Sequence, residues 1–414
     1  MYGESLSFAL LVMITIGLIR EGKTPPDNRV ALTPSQCKWI RQKFPQVNVK
    51  VQSAPGRCFS NSEYAKAGIE VCEDLSDADI LLGIKEVPVE QLIPGKTYLF
   101  FSHTKKKQPH NRKLLKAVLD KKIRLIDYEC LLHEDRQRII GFGFFAGIVG
   151  AHNGMMVYGH RTGTFSLGRV HQHKTFRKLM HTYFGLDIPN VKIVVTGSGR
   201  VAQGALEVMN LMQVREVEKE EFLEREFAYP VYIHLKGSDL YARKDGASYN
   251  RLDFHNHPTE YRSRFRPYVF AADILMNGVY WDVNVPRLFE AEDVQKPGFR
   301  LQVIADITDD TGGSVPINLG DQTIEEPVYG VDRMTLEKTV PYLPTSVDIM
   351  AVGNLPNELP RDASRYFGEQ LIKYVLPNLV GATSAVIERA TIAQGGRLTE
   401  GYTYLQGYAD GSED

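Results

Sequence analysis

Cysteine is rare in this sequence, tryptophan rarer, and net charge almost absent. The four cysteines (Cys37, Cys58, Cys72 and Cys130) lie far apart, with no C-x-x-C pair and no metal-ligand spacing. That excludes a disulfide scaffold and fits unpaired thiols in a reducing cytoplasm. Forty-nine basic against fifty acidic side chains leave a charge of −1, which offers no general pull toward nucleic acid or an anionic membrane. Long apolar runs are missing too. The run from Phe8 to Ile19 spans twelve residues, too few to cross a bilayer. It lacks a basic leader, carries Glu4 upstream, and is followed by Arg20-Glu21-Gly22-Lys23 instead of a small-residue cleavage site. Met13–Arg20 therefore reads as a buried first strand, residues 1–12 as an extension, and Met13 as a candidate start. No membrane or targeting segment is expected.

What is present is a chain of 414 residues, 43% apolar and 24% charged, which suits two globular domains and excludes disorder. After the first strand, apolar runs and amphipathic stretches alternate. Thr33-Pro34-Ser35-Gln36 is a capping box with proline at the first helical position, predicting a helix to about Phe44. Val47–Gln52 alternates as a strand and Ser60–Ala67 reads as a short helix. Ile80–Ile84 and Tyr98–Phe101 are continuous apolar runs of the kind buried on both faces of a parallel sheet. Asn111–Leu119 is a helix and Ile123–Asp127 a strand. Small residues thicken through 141–154, a closely packed helix, and a second α/β unit opens at Val191. The predicted fold class is α/β: two Rossmann-like domains with parallel sheets separated by a cleft, and a C-terminal helix returning to the first. The boundaries are residues 13–142 plus 358–400 for a catalytic domain and 143–357 for a dinucleotide domain. Residues 230–267 read as a polar, aromatic insertion. Residues 401–414 form a terminal extension, with the polar tail after Gly395 expected to fray.

Val191–Thr196 followed by Gly197-Ser198-Gly199-Arg200-Val201-Ala202 has the context that a dinucleotide fingerprint needs: strand, glycine turn, then a helix with apolar Ala205, Val208, Met209 and Met212. Glycines at 197 and 199 permit the tight turn and bring backbone amides to a pyrophosphate at the helix N-terminus. The next strand is expected to end near Glu216 or Glu218, where an acid would hold the ribose of NAD. Arg200, Arg215 and Lys219 stand close enough to accept the 2′-phosphate of NADP. The cofactor is therefore NAD or NADP, with NAD slightly favoured.

Lys85 closes one apolar run and His103 another. On parallel strands both would emerge at the carboxyl edge, where open α/β sheets bind ligands. A partly desolvated lysine and an imidazole both exchange protons near neutrality. Arg20, Arg29 and Arg138 are candidate guanidinium clamps for carboxylates. The turn 309–313 is expected at a strand's carboxyl edge, with Asp306 and Thr308 facing the cofactor. His171-x-His173 and His255-x-His257 lack a third ligand at useful spacing, so no metal is expected. The basic stretch from Lys105 to Lys122 reads as a solvated face.

Asn28-Arg-Val-Ala-Leu-Thr-Pro34, the Lys85 strand and the His103 strand resemble the alanine dehydrogenase/transhydrogenase superfamily. Residues 100–104 (FFSHT), 123–129 (IRLIDYE), 277–281 (NGVYW), 305–314 (ADITDDTGGS) and 359–364 (LPRDAS) are closer to its saccharopine-forming branch. They look like the lysine–ketoglutarate reductase domain and, more distantly, the lysine-forming saccharopine dehydrogenases. The likeness runs over nearly the whole chain from Met13. With no glutamate-forming domain following, the chain resembles a stand-alone version. The resemblance implies that Lys85 and His103 are the acid–base pair, that Arg20, Gln108 and Phe142 touch substrate, and that Glu86 and Glu129 tune the charge. Arg29, Thr308 and Asp309 join the substrate side. The resemblance would set Arg138 by the nicotinamide, Gly199 and Arg200 at the phosphates, and Ile307, Val352, Gly353, Asn354 and Leu355 around the rest. The fingerprint reading adds Gly197, Ser198 and Val201 at the phosphates, Glu218 at the ribose and Asp306 facing the cofactor. Gly353 departs from the acid that saccharopine enzymes place there and is like alanine dehydrogenase. The expected reaction interconverts saccharopine, NAD(P)+ and water with lysine, 2-oxoglutarate and NAD(P)H. The rivals are oxidative deamination of a small amino acid and a non-catalytic nucleotide-binding module. Oligomeric state is not legible.

Overall fold

The computed structural model describes residues 13–134, 136–381 and 384–412; the expected extension 1–12 lies outside them. The chain divides into two compact units, one of residues up to Gly141 together with those from Pro360 onward, the other Phe142–Leu359.

The first unit begins with β1 (Ile14–Leu18), whose apolar residues make it the centre of a sheet. The capping box forms as read: the Thr33 side chain accepts from the Gln36 backbone and Gln36 returns the bond, opening α1 (Pro34–Lys43). A second box, Ser60 with Glu63, opens α2 (Asn61–Lys66). Between and after them come β2 (Val47–Gln52), β3 (Glu70–Cys72), β4 (Ile80–Leu82), β5 (Thr97–Phe100), α3 (Arg112–Asp120) and β6 (Arg124–Asp127). Leu114, Leu115 and Val118 of α3 are buried on one face. Strands β1 to β6 pair in parallel, in the order β6-β5-β4-β1-β2-β3. Parallel pairing puts the carboxyl ends of β1, β4, β5 and β6 on one edge.

The second unit opens with α4 (Gly143–Thr162), the small-residue helix. Its glycines are contact points: a Cβ on Gly147 would meet the Val201 carbonyl oxygen at 2.0 Å. After α5 (Phe176–Met180) the chain forms β7 (Lys192–Thr196), α6 (Arg200–Leu211), the two-residue β8 (Arg215–Glu216), α7 (Lys219–Glu224) and β9 (Val231–Leu235). The segment read as an insertion therefore begins with a core strand, because β9 pairs directly with β7. Beyond it, β10 (Tyr241–Arg243), α8 (Arg251–Asn256) and β11 (Tyr261–Ser263) form a hairpin and helix. Tyr241, Phe254 and Tyr261 interlock there, with the first two ring centroids 4.6 Å apart. The polar residues of this stretch face outward and its aromatics supply a core, a division the composition alone concealed. The sheet is completed by β12 (Ile274–Asn277), β13 (Val303–Asp306), β14 (Val328–Asp332), β15 (Lys338–Thr339) and β16 (Ser346–Met350), in the order β15-β14-β16-β13-β12-β7-β9-β8. Only β14 runs against the others, pairing antiparallel with both β15 and β16.

The chain then re-enters the first unit through α9 (Pro360–Gln370), a π-helical turn at Leu371–Val375, α10 (Leu376–Val380) and α11 (Ala385–Ala390). Next, β17 (Thr391–Gln394) pairs antiparallel with β6, and β18 (Arg397–Leu398) folds back on β17. The tail expected to fray instead forms a 3-10 turn at Glu400–Leu405 and α12 (Gln406–Asp410). Leu405, Tyr408 and Ala409 are buried; their helical spacing makes one apolar side in an otherwise polar stretch.

Candidate active site

In the first unit, β4 and β5 are parallel neighbours, Leu82 opposite Leu99. Their pairing continues past both strands, with Gly83 N–H donating to Leu99 and Phe101 N–H to Ile84. Lys85 and His103 therefore leave adjacent strands at one edge. His103 Nδ1 lies 2.6 Å from Glu86 Oε1, and Lys23 Nζ reaches the other Glu86 oxygen at 3.0 Å. Burial alone would raise Glu86, but the bond to and charge of His103, with Lys23 added, win and lower it to about 2. An anionic Glu86 selects the His103 tautomer or charge state with a proton on Nδ1. Burial is the main reason that Lys85 is lowered to about 8, with the Arg29 and Lys23 cations adding to it. Lys85 is thus brought toward the range in which acid–base chemistry exchanges protons.

Several residues that build this site carried no sequence signal. Glu21, just past β1, accepts from the Ile84 and Lys85 amides at 2.7 and 2.8 Å and so pins the backbone at Lys85. Burial, then the Asp27 carboxylate, raises Glu21 to about 8. Asp127, at the end of β6, is fully buried and accepts from the Ser102 amide at 3.0 Å and the Glu129 amide at 2.7 Å. The Ser102 hydroxyl donates to it as well. That grip fixes the turn in which His103 takes a left-handed backbone, φ 52°. It fixes Glu129 too, whose carboxylate pairs with Arg138 at 2.7 Å. Burial opposes ionisation of Glu129, yet Arg138 and His103 hold it below its ordinary value.

In the second unit, the turn after β7 fits a dinucleotide. Gly197 has φ +106°, and a Cβ there would lie 2.5 Å from the Gly278 carbonyl oxygen, whereas nothing stands within 4 Å of one on Gly199. Gly199 caps α6 without a side-chain hydrogen bond. A closed turn under an open helix N-terminus is the cradle a pyrophosphate needs. His234 of β9 contributes a hydrogen bond to the Gly197 carbonyl at 2.7 Å, a support the sequence did not reveal.

Comparisons with known proteins find relatives over most of the chain. The family model "Alanine dehydrogenase/PNT, N-terminal domain" matches residues 17–149. The mitochondrial alpha-aminoadipic semialdehyde synthase of Mus musculus is 32% identical over 449 residues, covering 94% of this chain and 47% of that protein. The lysine-forming, NAD(+) saccharopine dehydrogenase of Schizosaccharomyces pombe is 25% identical over 86% of this chain and 91% of that one. An L-alanine dehydrogenase structure superposes with a TM-score of 0.62 at 17% identity, covering 96% of this chain and 99% of that one, and so shares the fold. Residues 17–149 thus match the alanine dehydrogenase/PNT N-terminal domain, and most of the chain is similar to the semialdehyde synthases and saccharopine dehydrogenases. It spans about half the length of the semialdehyde synthases it matches.

Several side chains stand elsewhere than the sequence led one to expect. Arg29 is no open clamp: its guanidinium is closed on Asp27 with bonds of 2.9 and 2.5 Å, both residues buried. Arg20 turns toward β2 and β3, bonding the Ser53 carbonyl and pairing with Glu73 at 3.4 Å. The Gln108 side chain accepts from Asn111, and Phe142 is buried at the start of α4. Asp306 does not face a cofactor; it is fully buried, with oxygens taken by Asn277, Thr308 and Asn318. The Ile307 side chain packs on α4, where a Cβ on Gly150 would meet it at 2.5 Å. Val352 and Leu355 are buried. Asp309 and Asp321 carboxylates converge on Gly353, 3.1 and 3.3 Å from where its Cβ would be. Burial and Asp321 push Asp309 up to about 8. Glu218 is exposed and caps α7. Since β9 separates β8 from β7, Glu218 follows a strand roughly 10 Å from the fingerprint strand. Lys236, not an acid, follows β9, the neighbour of β7 on the β8 side, so the ground for favouring NAD disappears. Arg200 and Val201 begin α6, as the fingerprint requires. Among the described residues no three ligating side chains could hold a metal ion, and no helix is long and apolar enough to cross a membrane.

Proposed function

We propose that this chain interconverts saccharopine, NAD(P)+ and water with L-lysine, 2-oxoglutarate and NAD(P)H. The observation that carries the reading is the His103–Glu86 bond beside a desolvated Lys85 on adjoining parallel strands. A bound pyridine dinucleotide supplies the hydride acceptor in the oxidative direction. Loss of hydride from the carbon bearing the secondary amine leaves an imine; water adds, and the carbinolamine collapses to ketone and free amine. Each of those later steps moves a proton. Lys85 and His103 take and return those protons, and Glu86 keeps the imidazole oriented with Nδ1 engaged, leaving Nε2 for exchange. Glu21 and Asp127 hold the two backbones in place. Acid–base catalysis of this kind contributes about 10²–10⁴-fold, and positioning supplies much of the rest.

The names of the relatives support a lysine-linked oxidoreductase, and the four free cysteines suit the reducing cytoplasm we propose as its compartment. Gly353 favours a second reading, an alanine-type dehydrogenase that releases ammonia. One assay separates them: reduced-cofactor loss with 2-oxoglutarate on adding lysine, ammonium or neither. Lysine-dependent loss supports the proposal, ammonium-dependent loss the second reading, and cofactor binding without turnover a nucleotide-binding module.

A further inference from the structure

Glu358 ends the 3-10 turn Leu355–Glu358, directly after the loop Val352–Leu355. Its side chain has no exposed surface. One carboxylate oxygen accepts from Asn153 of α4 at 2.8 Å. The other has no hydrogen-bond partner and lies 3.8 Å from Arg169 Nη2 and 3.6 Å from His171 Nδ1. The same Arg169 donates to the carbonyls of Glu325, at 2.9 Å, and Ile324. That segment flanks the loop: Gln322 N–H donates to Ala351 at 2.8 Å, and Gln322 bridges Val352 in parallel. One guanidinium therefore grips both the loop's end and its neighbouring segment. A buried carboxylate is costly unless paired, and no step of the proposed reaction uses this one.

We propose that Arg169 and Glu358 form a clamp that positions the Val352–Leu355 loop for dinucleotide binding, with Glu358 acting as a positioning residue. The inference rests on reading that loop as part of the cofactor site. The clamp also responds to pH. Four groups face Glu358: Asn153, Arg169, His171 and Glu325. Burial raises Glu358 to about 7, Asn153 and Arg169 pull it back, and Glu325 repels it. His171 is held below its usual value by burial and by Arg169. The charge of ionised Glu358 is met by the Asn153 amide and by Arg169. The clamp tightens as pH rises through about 7 and loosens below it.

The test uses the full chain: NADH and NADPH binding by fluorescence titration, and steady-state kinetics, from about pH 6 to about pH 8.5. Wild type, Glu358→Gln, Arg169→Lys and Arg169→Ala are compared, with melting curves to verify folding. In wild type, cofactor affinity is expected to improve about fivefold to tenfold with rising pH. Glu358→Gln fills the same volume and keeps the Asn153 bond. It should raise the cofactor KM to its low-pH value at every pH, leave the lysine KM unchanged and abolish the pH dependence. Arg169→Lys should keep part of the dependence and Arg169→Ala none. A Glu358→Gln protein that turns over with wild-type cofactor KM and wild-type pH dependence overturns the clamp alone. A folded wild type that binds neither cofactor overturns the functional reading and the clamp with it.

Discussion

Replacing Glu21 by glutamine tests the construction of the Lys85 site. The Ile84 and Lys85 amides each donate to a separate Glu21 oxygen, at 2.7 and 2.8 Å. Glutamine offers one oxygen and one NH₂, so a backbone N–H is left facing another donor, which costs about 1–3 kcal/mol. That cost depends on pH. Burial and Asp27 raise Glu21 from 4.5 to about 8, so between those values the folded protein holds a proton that the unfolded chain has released. Its stabilising contribution is complete below about pH 4.5 and is lost as pH rises through about 8, by on the order of 3–5 kcal/mol. Lys85, lowered from 10.5 to about 8, acts in the next window. There the unfolded chain binds more protons, so stability recovers with pH in both proteins. The gap between wild type and Glu21→Gln should be widest at about pH 4.5 and below, and close or reverse by about pH 9. Urea midpoints, with hydrogen exchange at the Ile84 and Lys85 amides, measure it. A gap that stays constant over that range, or a variant more stable than wild type in acid, refutes the account.

Lys85→Met and His103→Gln should each lower turnover by about tenfold or more, with cofactor affinity nearly unchanged; near-normal rates in both remove the assignment of roles. With Lys85 lowered to about 8, the rate of the direction that needs its free amine should rise with pH through that value. The reverse direction should fall, and Lys85→Met should erase this limb of the profile. Gly197→Ala combines a φ of +106° with a Cβ 2.5 Å from the Gly278 oxygen, and calorimetry should find cofactor binding weakened by about a hundredfold or more. Lys236→Glu should raise the KM for NADPH by about tenfold more than that for NADH; an equal effect on both detaches Lys236 from the 2′-phosphate.

The features legible in the sequence were those governed by near neighbours along the chain. The Thr33–Gln36 box, the strands from Val47 and Ile80, and the glycine turn at 197–199 follow from capping, alternation and small-residue geometry. The tail was misjudged because three buried positions, Leu405, Tyr408 and Ala409, weigh little against its polar composition. Ion pairing was legible in kind and not in partner: Arg29 was a guanidinium fork as read, and its carboxylate proved to be Asp27, two residues away.

By itself the amino-acid order determined two α/β units, a dinucleotide turn, and a lysine and a histidine at strand ends. Periodicity and turn chemistry are settled within a few residues, so they survive in any arrangement of the chain. Tertiary structure alone decided which strand ends meet. It put Glu21 against Lys85 across a separation of 64 residues and Asp127 under Ser102. It also set β9 where a shorter reading had put β8. Such partners are chosen by strand order, a property of how all the apolar faces are buried at once, and no local stretch of sequence carries that sum.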